Sequence, residues 1–380
     1  MIIKYCKKCL QPSTRPNSVF DKYQVCFACN NFKKISLNNN DHEIDSILKD
    51  LTHKIKQDKK KNYYDCAIGV SGGKDSTRQA IYVRDNLKLK PLLICCSYPP
   101  EQVSEIGALN IQNLNDLGFD ILLSSPSPIT WKKTLKKSFL RYGNLAVASE
   151  LALYSSLPII SNKYKIKHAF LGENPATTTG ETGSMIKNQM YLANNTRNMN
   201  TLKGGRPDWL VDNDIRKKNL IPYYYPTSKE FKQNNLNIYY LGFFMKKWSR
   251  LYNGVFSSAH GLNLRENKPS EWGDLINCNA LDENFMSVNQ MIKYFKFGFG
   301  KVTDFVNEEI RHGRMSRGQG IKLVEKFDHF IPKKNIEEFC NYLSISQNQF
   351  WTHVDKFINK KLFYKKNGDW KRLFTIGYDS

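Results

Sequence analysis

Asp65-Cys66-Ala67-Ile68-Gly69-Val70-Ser71-Gly72-Gly73-Lys74-Asp75-Ser76-Thr77 is the stretch on which the reading of this chain turns. An apolar run stops at Ser-Gly-Gly, and a helical pattern, Thr77 to Leu87, begins just after it. Strand, glycine turn and helix start together make an anion site, because exposed N–H groups and the positive end of the helix dipole converge there. Gly72 and Gly73 remove Cβ atoms that would keep a phosphate away. Lys74 offers a cation, and Ser71, Ser76 and Thr77 offer hydroxyl donors. A carboxylate beside phosphates makes sense if it holds Mg²⁺, which gives Asp75 a role. The plain alternative is a glycine-rich turn joining a strand to a helix.

A Walker A loop is excluded. Counting back from Gly73-Lys74, its first glycine falls on Ile68, and its Ser/Thr falls on Asp75. Ser71-Gly72-Gly73-Lys74-Asp75-Ser76 instead resembles the signature of the PP-loop ATP pyrophosphatases, which cleave ATP between its α and β phosphates and adenylate an oxygen of their substrate.

Working outward, strands alternate with helices. Tyr64–Val70, Pro91–Cys96, Phe119–Leu123 and Lys167–Gly172 read as strands. Thr77–Leu87, Glu101–Leu117 (stopped by Gly118), Thr130–Tyr142 and Leu145–Leu157 read as helices. Such alternation implies a parallel sheet with ligands beyond the carboxyl ends of its strands. The exit from the fourth strand, Glu173 to Ser184, then shares an edge with the glycine loop. Gly172, Asn174, Thr178 and Glu181 are candidates for gripping phosphate or sugar hydroxyls, and Glu173 for Mg²⁺ or a ribose. Cys66, Cys95 and Cys96 lie in strands as small buried hydrophobes.

At the N-terminus Cys6-x-x-Cys9 and Cys26-x-x-Cys29 are separated by 16 residues, inside the window for a four-thiolate zinc site. So short a module buries little, and a structural Zn²⁺ would supply folding energy. A redox pair and an iron–sulfur cluster are the competing readings. A polar linker, Leu37–Asn40, leads to an amphipathic helix, Asp41–Lys60, carrying Ile44, Ile47, Leu48, Leu51 and Ile55 on one face.

The 380 residues are 41% hydrophobic, which allows a sizeable core, and the net charge of +22 suggests an anionic partner. No secretory signal or membrane-spanning run is visible, and a cytoplasmic location is expected. Met185 to Asn235 is irregular and includes the cluster Tyr223-Tyr224-Tyr225; beyond Leu236 the pattern is mostly helical. Arg311, Arg314 and Arg317 share one face if helical, or lie on a turn if Gly313 caps the helix; their forks suit carboxylates and phosphates. Ser344–Lys361 reads as a small terminal helix unit.

The cysteine pairs, the Ser71–Ser76 loop, Leu171-Gly172-Glu173-Asn174-Pro175, Phe295-Lys296-Phe297-Gly298-Phe299-Gly300-Lys301 and Ile310–Arg317 together resemble the bacterial N-acetyl sugar amidotransferases of surface-polysaccharide and flagellar-glycan biosynthesis. The resemblance implies an α/β, Rossmann-like PP-loop core (adenine nucleotide alpha hydrolase-like) with an N-terminal zinc module and a mostly helical C-terminal region. The expected division is 1–36 for the zinc module, 37–62 for linker and helix, 63–235 for the ATP domain and 236–380 for the helical region. It implies ATP and Mg²⁺, Asp75 as a catalytic residue, and a loop from Ser71 to Thr77 with Gly172 and Glu173 around ATP; Lys74, a variable position of the signature, is a catalytic candidate by its own charge. It also implies an N-acetylated sugar as acceptor, with Asn174, Thr178, Glu181, Arg311, Arg314 and Arg317 as candidate contacts. Ammonia would come from a separate glutaminase subunit, together with a cyclase-like subunit akin to the histidine-pathway synthase. A tRNA-modifying PP-loop enzyme of the thiolation type is the rival reading, favoured by charge. No RNA-binding signature is present, and nucleic acid is not the expected partner.

Overall fold

The computed structural model describes residues 3–37, 41–59, 62–181 and 189–379. Residues 38–40 of the expected linker, Lys60, and the stretch Thr182–Asn188 after the fourth strand lie outside the described residues.

Five short strands form one parallel sheet: β1 (Cys66–Val70), β2 (Pro91–Cys96), β3 (Ile121–Ser124), β4 (His168–Leu171) and β5 (Asn237–Tyr240), in the order β3-β2-β1-β4-β5. Strands β2 and β4 are buried throughout because helices cover both faces of the sheet. Alternate residues serve opposite faces. Cys66, Ile68 and Val70 join one apolar layer with Leu48, Leu51 and Ile55 of the helix Asp41–Asp58 and with Ala80, Ile81 and Val83 of the helix Lys74–Asp85. Ala67, Leu92 and Ile94 join the opposite layer with Leu157 and Ile160 of the helix Ala146–Lys163.

Several expected bounds shift, and three of the shifts bear on the sheet and its glycine loop. The helix after β1 begins at Lys74, not Thr77, so Lys74, Asp75 and Ser76 already form its first turn. The third strand is Ile121–Ser124; Phe119 is buried just before it. Asn237–Tyr240, which falls in the stretch read as mostly helical, is the edge strand of the sheet, so the sheet extends past residue 235.

The C-terminal region is helical, with Met286–Phe297, Lys301–Arg311, Arg317–Phe327, Lys333–Leu343 and Gln347–Val354, and it ends in a hairpin, Phe363–Lys366 with Asp369–Arg372. The hairpin turns at Asn367-Gly368, both at positive φ, as a two-residue connection between right-twisted strands requires. Phe285, Phe339 and Phe350 form the centre of this core. Ile3, Tyr5 and Leu10 of the N-terminal module belong to the same core, as does Phe139 of the helix Pro128–Tyr142. The cysteine module is therefore built into the C-terminal helices. Among the described residues no helix is long and apolar enough to cross a membrane.

Candidate functional site

The four N-terminal thiols converge. Cys6, Cys9, Cys26 and Cys29 are buried, and their sulfurs all lie within 4.8 Å of one another. Cys6 Sγ stands 4.0 Å from Cys29 Sγ, and Cys9 Sγ stands 3.7 Å from Cys26 Sγ. A tetrahedron built on Zn–S bonds of about 2.3 Å has edges of about 3.8 Å, so these residues fit one ion such as zinc. They are too close together to enclose a polynuclear cluster. Backbone N–H groups of Lys8 and Cys26 donate to Cys6 Sγ, and that of Gln11 donates to Cys9 Sγ, as suits sulfurs carrying negative charge.

The glycine loop leaves the carboxyl end of β1. Strands β2 and β3 lie to one side of β1, and β4 and β5 lie to the other, so the β1–β4 boundary is the topological switch point. In open α/β sheets a crevice for ligands opens there. The Ser71 N–H donates to Ser76 Oγ at 2.9 Å and closes the turn. Gly72 has φ of +81°, and a Cβ there would lie 3.1 Å from the Ile111 backbone nitrogen. Its lack of a side chain thus serves the turn and the close approach of the helix Glu105–Asp116, whereas a Cβ on Gly73 would meet little but Ser71 Oγ at 3.6 Å. Among the described residues the Gly72 and Gly73 N–H groups have no acceptor.

A cavity of about 260 Å³ opens beside the loop. Ser71, Asp75 and Ser76 line it from the loop, Gly172 and Glu173 from the end of β4, and Glu150 and Tyr154 from the helix Ala146–Lys163. Asp282, Glu283 and Asn289 close it from the C-terminal region. Tyr154 donates to Glu173 Oε1 at 2.7 Å. Burial pushes the Glu173 carboxyl up, and the charges of Asp75 and Glu181 add to the effect. Gln79 donates to the Gly69 carbonyl at 2.9 Å; its own oxygen is buried without a donor, an acceptor that a bound N–H would satisfy.

Asp75 is held from behind. Its Oδ2 lies 3.0 Å from Lys74 Nζ, and its Oδ1 accepts from Asn253 Nδ2 at 2.5 Å. Arg78 donates to Asn253 Oδ1 and to the carbonyls of Lys246 and Lys247, which fixes which end of the amide faces Asp75. The Arg78 guanidinium stacks 4.3 Å over Tyr252. These groups sit on or beside the helix Arg250–Ser258, whose Ser257 hydroxyl also donates to the Lys74 carbonyl at 2.7 Å. No local pattern in the sequence marks Asn253, Arg78, Tyr154, Glu150 or Glu283 as members of this site. A buried asparagine 178 residues from Asp75 belongs to no local pattern that would reveal it.

The other expected site residues divide by position. Lys74 is buried beneath the loop against Asp75, and the Thr77 hydroxyl returns to the Gly73 carbonyl, so neither lines the cavity. Asn174 donates to the Gly242 carbonyl, and its backbone carbonyl accepts from the Thr178 hydroxyl. Glu181 faces a neighbouring cavity and accepts from the Asn200 N–H. The three arginines lie elsewhere. The helix ends at Arg311, Gly313 turns the chain at φ +71°, and Arg317 starts the next helix. Arg311 spans Cys9 Sγ and the Thr178 carbonyl, Arg314 forks onto Glu309, and Arg317 donates to the carbonyls of Cys9 and Gly377. The forks of all three bind the protein's own groups, Arg311 and Arg317 at the seam of the cysteine module, and none of the three lines the loop cavity.

Residues 279–376 match the family of the C-terminal domain of WbpG-like LPS biosynthesis proteins. The matched stretch carries Asp282, Glu283 and Asn289, the wall that closes the cavity. No curated protein matches the chain. This C-terminal part of the protein is thus similar to a domain of lipopolysaccharide biosynthesis, joined to a parallel α/β core and a four-cysteine site.

Proposed function

We propose that this chain is an ATP-dependent N-acetyl sugar amidotransferase of the PP-loop ATP pyrophosphatase type, acting in lipopolysaccharide O-antigen or flagellin-glycan synthesis. The observation that carries the reading is the placement of Ser71–Ser76 at the β1–β4 crevice with Asp75 and Glu173 lining one cavity. The C-terminal likeness to a lipopolysaccharide-biosynthesis domain supports the pathway.

The acetamido oxygen attacks the α-phosphorus of ATP, the bond to the β-phosphate oxygen breaks, and pyrophosphate leaves. The carbon, now an adenylated imidate, takes the nitrogen of ammonia. Its C–O bond breaks, AMP departs with the oxygen, one proton is lost, and an acetamidino group remains. The Gly72 and Gly73 N–H groups and the start of the helix Lys74–Asp85 receive the pyrophosphate charge. Lys74 and Asn253 hold the Asp75 carboxylate in one orientation. Asp75 would hold Mg²⁺, which would supply positive charge against the departing phosphates. Tyr154 orients Glu173 across the cavity. Ammonia comes from a glutaminase subunit, with a cyclase-like subunit beside it, and ATP together with unpaired thiols suits the cytoplasm.

The test incubates the protein with Mg-ATP, ammonium and either N-acetylated acidic or nucleotide-linked sugars, or bulk tRNA. The expected result is sugar-dependent AMP and pyrophosphate, with a product about one mass unit lighter. Release with tRNA alone, or release of ADP and orthophosphate, overturns the proposal.

A further inference from the structure

A second cavity, of about 290 Å³, shares Glu150 and Asn289 with the loop cavity. Its walls come from the cysteine module (Arg15), from the chain after β4 (Glu181), and from the helix Met286–Phe297 (Asn289, Lys293, Lys296). Asn289, Lys293 and Lys296 follow one another at i, i+4 and i+7, so they line one helix face. At 1.5 Å per residue, Lys293 lies about 6 Å and Lys296 about 10 Å along the axis from the junction at Asn289. The Asn289 oxygen accepts from the Leu145 N–H at 2.8 Å, so what this residue offers at the junction is its NH₂.

The cationic wall is only partly neutralised. Asp304 is shared by Arg15 and Lys293. Burial alone would raise the Asp304 carboxyl, but Arg15, Lys293 and Arg250 around it hold it well below the usual carboxylate range. Lys296 donates to the Tyr142 carbonyl at 2.6 Å, and among the described residues no carboxylate pairs with it. At the other end Glu150 accepts from Thr201 and Glu181 from Asn200. Burial pushes both carboxyls up, Glu150 to about 7, so they repel an anion less than ordinary carboxylates would.

We propose that this second cavity is the acceptor site for a monosaccharide-sized anion, which presents its amide to the loop cavity between Glu150 and Asn289 and its anionic group to Lys293 and Lys296. The inference deepens the proposed amidotransferase reading and rests on it. Within the helix Met286–Phe297 the spacing of Asn289 and the two lysines acts as a ruler. It selects acceptors whose amide and anion stand about 6–10 Å apart.

The experiment measures calorimetric binding, without ATP, of N-acetylneuraminic acid, N-acetylglucosaminuronic acid and neutral N-acetylglucosamine to the full chain and to Lys296→Gln and Lys296→Arg. Melting curves confirm that the variants fold. At least one acidic sugar is expected to bind about tenfold more tightly than the neutral one. Lys296→Gln erases that preference and Lys296→Arg retains it. Equal binding of acidic and neutral sugars, no binding of any, or an undiminished preference in Lys296→Gln overturns the inference. Parallel AMP assays separate the two ideas: binding as expected with no AMP from any N-acetylated sugar removes the reaction, and sugar-dependent AMP with Lys296→Gln unchanged removes the site.

Discussion

Arg311 Nη2 donates to the Thr178 carbonyl at 2.9 Å while Nη1 of the same guanidinium rests 3.8 Å from Cys9 Sγ. One side chain thus ties the four-cysteine site to the segment that follows β4. Two further ties run in parallel. Gln11 donates to the Thr179 carbonyl, and a Cβ on Gly180 would come within 2.7 Å of the Ala28 nitrogen. The segment held this way begins at Glu173, in the cavity wall. A metal held by the four cysteines would therefore support the geometry of this segment as well as the module itself.

Arg311→Ala should therefore leave one metal ion per chain and four intact thiolates, as read by elemental analysis. Amide exchange at Thr178–Glu181 should quicken about tenfold or more, because a charge-assisted hydrogen bond to a half-buried carbonyl is lost, worth about 1.5–3 kcal/mol. Chelation of the metal should produce the same loosening and also unfold residues 3–30. Unchanged exchange in both experiments would show that the loop stands without the module.

Asp75→Ala is expected to abolish AMP release and also to destabilise by about 1–3 kcal/mol, because the buried Lys74 ammonium loses its carboxylate and Asn253 its acceptor; Asp75→Asn, which keeps an oxygen for both donors, should abolish AMP release while melting close to the parent. Asn253→Ala is expected to reduce kcat about 10- to 100-fold and also to destabilise. It leaves the buried Arg78 guanidinium without one acceptor and Asp75 held by Lys74 alone. Equal rates in wild type and Asn253→Ala would mean that the orientation of Asp75 is irrelevant.

Gly72→Ala should destabilise the chain by about 1–3 kcal/mol, because the residue sits at φ +81° and its new methyl would press on the backbone of Asn110 and Ile111. Gly73→Ala, whose Cβ would make only an ordinary contact with Ser71 Oγ, should fold normally and lose nucleotide affinity alone. Equal melting points for the two variants would contradict this division of labour.

Glu283 supplies a pH signature. It is buried, accepts from Gln102 and from the Phe285 N–H on one oxygen, and is raised from 4.5 to about 7 by burial and by Asp282. Between those pH values the folded chain holds a proton that the unfolded chain has released. Stability from this group therefore falls as pH rises from about 4.5 to about 7, on the order of 3 kcal/mol in all, and is flat above. Glu283→Gln keeps an oxygen for both donors, so it should raise the unfolding free energy at pH 8 and flatten the slope between pH 5 and 7. An unaltered slope, by denaturant titration at five pH values, would remove Glu283 from the effect.

The sequence by itself determined the local devices. The Ser71–Ser76 turn, the C-x-x-C pairs and the apolar strands around them are legible because each is set by neighbours a few residues apart: a glycine for positive φ, two thiols per turn, short apolar runs for a covered sheet. Tertiary structure alone decided what those devices touch. The strand Asn237–Tyr240 is four residues long and runs directly into the short helix Leu241–Phe244, so no periodicity marks it; pairing with β4 makes it a strand. Arg311, Arg314 and Arg317 have the composition of an anion site, yet the fold brings Thr178, Glu309 and the Cys9 and Gly377 carbonyls to them first. Asn253 reaches Asp75 across 178 positions because the helix Arg250–Ser258 packs on the helix Lys74–Asp85. Such pairings depend on which surfaces bury one another, a property of the whole chain that no local window contains.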